Sequence, residues 1–414
     1  MRIAVIGPTH PFRGGIAQHT TLLVEALRAR HDVLFVSYRG QYPSWVFPGR
    51  SDRDPSRSIL RGDVEYLLAP LRPWSWRRTA RRVAGHQPDI TVIPWWVPFW
   101  APSIGCVVRL LGRSAGRLLY VCHNVAPHEG PAWLSRQLTR FALEPGDAFV
   151  VHSEPDAERL GRLLAGRRVR PRDIRRALLP DHAIADPVPR TEARRQLGLA
   201  PDERLALFFG FVRPYKGVEQ LVRAIALAAP AVPDLRLLVA GESWLAPDAT
   251  RSLARELGIA DRVTLVDRYI PNDLVAPYFC AADVVVLPYL EATQSGVVTL
   301  ASRFGVPVIA TNVGGLPEAV LDGVTGLIVP PSDAAALARA LQAVLTDGAL
   351  ARSLREGVKA HRWRFGWPAL VDLIEAVATD SAASSDGLDG PEGRARMARP
   401  SESDPGPSAG ARQA

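Results

Sequence analysis

Short apolar runs alternate with helical patterns along almost the whole chain, and the alternation occurs twice. In the first half, strand-like runs read Arg2–Ile6, Asp32–Val36, Ile90–Ile93, Leu118–Val121 and Ala148–Val151, with helical stretches such as Ile16–Ala29 and Trp133–Ala142 between them. In the second half the strands read Leu205–Phe209, Leu235–Ala240, Val263–Val266, Val284–Leu287, Val306–Ala310 and Gly326–Val329. Helical patterns fill the gaps, from Gly217–Ala229 to Ala334–Leu345. Such alternation implies parallel sheets, because a parallel neighbour is reached only by a crossover and the crossover helices cover both faces. The expected fold class is therefore α/β, with two doubly wound, Rossmann-like domains. Ligands of these sheets bind beyond the carboxyl ends of the strands, so two facing sheets predict a cleft between domains.

Turn residues cluster in DHAIADPVP, from Asp181 to Pro189, which sets the first domain at 1–185 and the second at 186–362. A helix over 363–379 is expected to pack back towards the first domain. From 380 to 414 the chain is rich in Ser, Gly, Pro and Ala with almost no large apolar residue. Such a stretch cannot bury enough surface to offset its ordering entropy and reads as a disordered tail.

The chain has 414 residues, 47% of them hydrophobic, which excludes collagen-like, wholly disordered and small disulfide-scaffold classes. Cys106, Cys122 and Cys280 form an odd count with no C-x-x-C pair, and the nine His show no H-E-x-x-H spacing. No metal site is expected, and the cysteine usage fits a reducing cytosol. The start, MRIAVIG, reads as a strand with no basic-then-apolar leader, so a cytoplasmic protein is expected. The longest uncharged run, Ile90–Val108, carries Pro94, Pro98 and Pro102, which would repeatedly break a spanning helix.

The net charge of +8 is uneven. Residues 1–185 hold 27 basic and 15 acidic side chains, whereas the remainder is mildly acidic. A basic half implies an anionic partner: nucleic acid, a membrane surface or a phosphorylated substrate. Trp74 and Trp76 accompany Arg77, Arg78, Arg81 and Arg82 in PWSWRRTARRVAGH, six arginines follow in Arg167–Arg176, and Trp95, Trp96, Phe99 and Trp100 cluster nearby. Basic charge with aromatic residues suits an anionic membrane surface, so an anionic membrane surface is an expected partner, with peripheral placement at the inner face. The alternative for all three stretches is a solvated charged face and ordinary packing. No helix-turn-helix, RNP or zinc motif accompanies the charge, so no nucleic-acid partner is expected.

Four stretches carry candidate chemistry. In GPTHPFRGGIAQHT, Gly14 and Gly15 sit just before a helix, where backbone N–H groups can approach an anion. In YVCHNVAPHE, His123 and Asn124 follow a strand and are placed to bond a sugar hydroxyl or polarise a reacting group; a structural histidine is the alternative. In FFGFVRPYKGVEQLVRAI, Arg213 and Lys216 lie in a loop ahead of a helix, a good receptor for a diphosphate. In PYLEATQSGVVTL, Thr293, Gln294, Ser295 and Gly296 can present successive N–H groups to an anion, with the Glu291 carboxylate beside them.

The order and spacing of these stretches resemble a retaining glycosyltransferase of the GT-B fold, group 1 or family 4, over roughly residues 1–378. The residues that carry the resemblance are Gly14-Gly15-Ile16, His123, G-F-V-R-P-Y-K-G with Arg213 and Lys216, and F-G-V-P-V-I-A-T-N-V-G-G-L-P-E. The resemblance implies a nucleotide-sugar donor, a hydroxyl acceptor that is glycan or lipid-linked, and no cofactor. Arg213, Lys216, Gly15, Gln294, Ser295 and Gly296 would hold the donor diphosphate. Gly241, Asp267, Tyr269 and Ile270 would hold the nucleoside. Gly14, Gly15, His123 and Asn124 would face the acceptor, and His123, Arg213, Lys216 and Glu291 would be catalytic. One departure matters. The family often carries two glutamates eight positions apart before the G-V-P-V-I-A-T strand, and those positions here are Ala292 and Leu300, with Glu291 one residue off. The chain instead resembles a branch reading A-T-Q-S-G. Competing readings are an inactive GT-B-fold relative that binds without reacting, and a sugar-nucleotide epimerase on the same fold.

Overall fold

The computed structural model describes residues 1–41, 52–56, 62–125, 132–165, 173–181, 185–244 and 248–380. Residues 167–172 of the arginine run Arg167–Arg176, residues 182–184 of the turn cluster and the tail from 381 lie outside the described residues.

The first half builds a seven-stranded sheet in the order β3-β2-β1-β4-β5-β6-β7. Its strands are β1 (Arg2–Ile6), β2 (Asp32–Tyr38), β3 (Glu65–Leu68), β4 (Ile90–Trp95), β5 (Arg117–Cys122), β6 (Ala148–Val151) and β7 (Ile174–Arg176). The second half builds a six-stranded sheet in the order β10-β9-β8-β11-β12-β13. Its strands are β8 (Arg204–Phe209), β9 (Leu235–Ala240), β10 (Val263–Val266), β11 (Val284–Leu287), β12 (Val308–Thr311) and β13 (Gly326–Val329). Every pairing in both sheets is parallel. This is the doubly wound order, and its direction reverses beside β1 in one sheet and beside β8 in the other. The two reversal points place the loops after β1, β8 and β11 where a ligand is expected.

The crossover helices of the first half are α1 (Gly15–Arg28), α2 (Pro73–His86), α3 (Ala101–Leu111), α4 (Ala132–Leu143) and α5 (Glu154–Leu164). The helices of the second half are α6 (Arg190–Gln196), α7 (Val218–Ala228), α8 (Ala249–Glu256), α9 (Val275–Ala281), α10 (Gly296–Arg303), α11 (Leu316–Ala319), α12 (Ala334–Thr346) and α13 (Gly348–His361). They are amphipathic in the way a sheet demands. In α7, Val218, Leu221, Val222, Ile225 and Ala228 are buried, a stripe of helical period that lies on the sheet.

The last helix, α14 (Trp367–Thr379), does not continue the second half. Its Leu370, Val371, Ile374 and Val377 share a core with Ile3 and Val5 of β1 and Leu23, Val24 and Leu27 of α1. Arg30 and His31 hold its outer edge through Asp372 and Glu375, at 2.7 and 2.8 Å.

The long uncharged run divides into β4, a tight turn at Pro98–Trp100, and α3. Pro102 falls in the first turn of α3, where its missing N–H costs nothing. Pro94 lies in β4 beyond the stretch paired to β1, which ends at Val92. Trp95 and Trp100 are core residues, 1% exposed, with Trp100 stacked on Tyr38 at 4.1 Å. Trp96 and Phe99 are half-buried against the same core. For this cluster the ordinary-packing alternative holds. Among the described residues no helix is long and apolar enough to cross a membrane.

Candidate active site

Both reversal points open into one cavity of about 340 Å³, within the size range of small-molecule sites. The first half contributes its glycine loop. Gly14 has φ +107°, in the region that favours glycine, and forms the N-cap of α1 with no side chain over it. Gly14, Gly15 and Gln18 therefore present backbone N–H groups and one amide at the positive end of a 14-residue helix. Asn124 follows β5 on the same wall.

The second half contributes two cations and a second helix start. After β8, the chain turns tightly through Pro214–Lys216 and enters α7. Gly217 makes this possible: its φ is +65°, and a Cβ there would stand 2.0 Å from the Pro288 carbonyl oxygen. The Leu290 N–H donates to the Tyr215 carbonyl at 2.7 Å, tying this loop to the one after β11. The Arg213 guanidinium carbon lies over the Trp244 ring, 3.6 Å from its centre. Lys216 donates to the Tyr289 hydroxyl at 3.2 Å, which in turn lies 3.3 Å from the Ser295 hydroxyl. Ser295 caps α10, accepting from the Val297 N–H. Arg213, Lys216, Gln294, Ser295 and Gly296 all line the cavity opposite Gly14 and Gly15. Two cations and two helix starts thus face one space, an arrangement that stabilises a doubly charged anion.

The expected nucleoside residues divide. Gly241, Tyr269 and Ile270 line the cavity. Asp267 does not; it accepts from the Ser243 N–H at 2.7 Å and fixes the turn after β9. Tyr269 donates to Asp54 at 2.6 Å. Burial first, and then the Asp54 carboxylate, pushes the Tyr269 phenol well above its usual range.

Two expected catalytic residues stand outside the cavity lining. His123 is 2% exposed. Its N–H continues the ladder to the Trp95 carbonyl at 2.8 Å, and its ring packs edge-on to His19 of α1, centres 4.4 Å apart. It touches the cavity wall through Gln294, whose amide lies 3.4 Å from its Nδ1. The chain direction at the end of β5 sends Asn124, and not His123, to the surface of the cleft. Glu291 is exposed, while Ala292 and Leu300 line the cavity. The positions where the family often carries glutamates face the site, and they hold apolar residues here.

Sequence reasoning passed over the contacts that join the two walls. Arg13 pairs with Glu242 at 3.0 Å, both side chains almost wholly buried, and its guanidinium lies 5.0 Å from the centre of the Tyr269 ring. Removing one partner of such a pair typically costs 3–5 kcal/mol, because the other charge is left buried. Gln18 donates to Asn272, and Thr293 donates to Asn124 at 2.8 Å. Arg176 bonds Glu154 of its own half and Glu318 of the other. Arg13 adjoins the glycine pair and Gln18 lies one turn on, so proximity to Gly14 and Gly15 was the available signal. Their partners, more than 200 residues away, gave none.

Two α/β sheets of this order, enclosing a cavity built from both, define the GT-B class of glycosyltransferase fold. Residues 13–175 match the family model for glycosyltransferase family 4, and residues 203–347 match that for glycosyl transferases group 1. The D-inositol 3-phosphate glycosyltransferase of Nocardia farcinica is 32% identical over 331 residues, covering 76% of this chain and 71% of the relative. Among solved structures, the sucrose-phosphate synthase of Thermosynechococcus elongatus is 26% identical with a TM-score of 0.66, covering 91% of this chain and 98% of that one. The Anabaena protein HepE, solved in complex with UDP, shares the fold at 16% identity and a TM-score of 0.69, with the same coverage. This chain belongs to the group 1, family 4 glycosyltransferases.

Proposed function

We propose that the chain transfers a sugar, with retention of anomeric configuration, from a nucleoside-diphosphate sugar to a hydroxyl of a glycan or lipid-linked acceptor. The observation that carries this reading is the convergence of Arg213, Lys216 and the starts of α1 and α10 on one cavity. Relatives support the donor class: HepE was solved with UDP-glucose, and the Nocardia relative is named for glycosyl transfer to a phosphorylated inositol.

The chemistry follows from charge. Breaking the anomeric C–O bond leaves positive charge on the sugar and negative charge on the departing diphosphate. Arg213, Lys216 and the amides of Gln294 to Gly296 stabilise that leaving charge with no divalent ion bridging it. Among the described residues that line the cavity, the carboxylate is Glu242, and Arg13 holds it. No side-chain nucleophile is therefore invoked. The acceptor hydroxyl attacks from the face the diphosphate leaves, forming the new C–O bond as its proton passes to a diphosphate oxygen. The A-T-Q-S-G turn takes the place of the paired glutamates as a diphosphate cradle, and His123 acts one layer back by positioning Gln294. The basic face of α2 rests on an anionic membrane at the inner leaflet, bringing the acceptor to the cleft.

Release of nucleoside diphosphate from UDP-, GDP- and ADP-sugars tests the reading, without added Mg²⁺. Wild type is expected to release it from one donor class, and Arg213→Ala and Lys216→Ala to slow release roughly 100- to 1,000-fold, the usual cost of one lost charge-stabilising donor. Absence of release with every donor, in the presence of a panel of polyol and glycolipid acceptors, makes the chain a binding relative and refutes the proposal.

A further inference from the structure

Three histidines from separate elements meet one layer behind the cavity. β5 and β6 are parallel neighbours with Cys122 opposite Val151, so the next residues, His123 and His152, emerge side by side. α1 crosses above them and lowers His19 onto the pair. The three are 0%, 2% and 2% exposed, and one ring nitrogen from each lies within 4.8 Å of the others. We propose that His19, His123 and His152 bind one first-row divalent transition-metal ion of the zinc type.

The hydrogen bonds around the cluster already set its chemistry. His152 Nδ1–H donates to the Ala177 carbonyl at 2.9 Å, which leaves Nε2 of the neutral ring with a lone pair. Metal-bound histidines are characteristically held in this way, by their second nitrogen on a backbone carbonyl. His123 Nδ1 faces the Gln294 amide at 3.4 Å. Turned over, that amide accepts Nδ1–H and frees the lone pair of Nε2 for an ion; the two amide orientations have the same shape. Three atoms no more than 4.8 Å from one another leave a central ion at most about 2.8 Å from each. Zinc–imidazole bonds need ~2.0–2.1 Å, so the rings move inward by at most ~0.7 Å. Small rotations of the side chains supply that.

The ligand set selects the ion. Three neutral imidazoles suit zinc, cobalt, nickel or copper, and not the oxygen-seeking Mg²⁺ or Ca²⁺. Cys122 lies next in sequence to His123, but its side chain belongs to the apolar core with Tyr120 and Val151. A fourth position falls to water. The ion would thus tie α1, β5 and β6 together.

The test uses the full chain without a histidine tag, stripped with chelator and titrated with Co²⁺. The expected result is the visible absorption of four-coordinate cobalt, saturating at one ion per chain and abolished by an equivalent of Zn²⁺. His19→Gln and His152→Asn should each weaken binding by tenfold or more, whereas His10→Asn should leave it unchanged. If wild type shows only the spectrum of hydrated cobalt through a twofold excess, the proposal is overturned and the three rings are an aromatic cluster packed on Trp367. That outcome is decided on wild type, whether or not the variants fold. A cobalt band that persists unchanged in folded His152→Asn overturns it equally.

Discussion

Glu291 and Ala292 are adjacent in the chain, yet only Ala292 lines the cavity. One residue of phase decides which side of the wall a carboxylate occupies. The same sensitivity governs Gly217. Its positive φ and the 2.0 Å approach of the Pro288 oxygen leave no room for a Cβ. Gly217→Ala should destabilise the chain by at least ~1–3 kcal/mol, the cost of a side chain in that conformation, read as a lower urea midpoint. It should also weaken nucleotide binding by displacing Lys216 next to it. An unchanged midpoint would show that the turn relaxes freely and has no part in placing the lysine. Gly217 was visible in the sequence as the last residue of G-F-V-R-P-Y-K-G, because glycine there has a mechanical reason. The orientation of His123 was not visible, since a residue at a strand's end can face either layer.

At the scale of elements, α2 shows how a charge run becomes a surface. Its Ser75, Thr79, Ala80 and Val83 are buried, which turns Trp74, Arg77, Arg78 and Arg81 outward together. Trp74 is 68% exposed. With Arg109 and Leu110 of α3 these residues line an open groove of about 900 Å³. Basic side chains around exposed apolar ones suit anionic headgroups over acyl chains. Flotation with phosphatidylglycerol vesicles at low salt should carry the wild-type chain upward. An Arg77→Glu, Arg78→Glu, Arg81→Glu variant should stay at the bottom, and equal flotation of the two would remove α2 from the account. Central strands were legible because both their faces are buried, so they read as continuous apolar runs. The edge strands β3, EYLL, and β7, IRR, were not. They are short and half-exposed, and only pairing with a neighbour defines them.

For the whole molecule, α14 returns to the first sheet and the Arg13–Glu242 pair joins the two walls of the cleft. The general architecture was legible from the repeated alternation of strand and helix. The closed arrangement was not, because it rests on single contacts between residues as far apart as Arg13 and Glu242, or Gln18 and Asn272, with no local pattern. In the proposed reaction, closure would surround the donor with protein and exclude the water that would hydrolyse it.

The central claim is that this cavity holds a nucleoside diphosphate through Arg213 and Lys216. Thermal unfolding of the full chain with UDP, GDP and ADP tests it most directly, because a ligand bound only to the native state raises stability by mass action, about 2.7 kcal/mol at a hundredfold excess over its dissociation constant. One nucleotide should raise the wild-type midpoint clearly above the others, and the Arg213→Ala, Lys216→Ala double variant should lose that shift. No shift with any of the three, or an equal shift in wild type and double variant, would contradict the account.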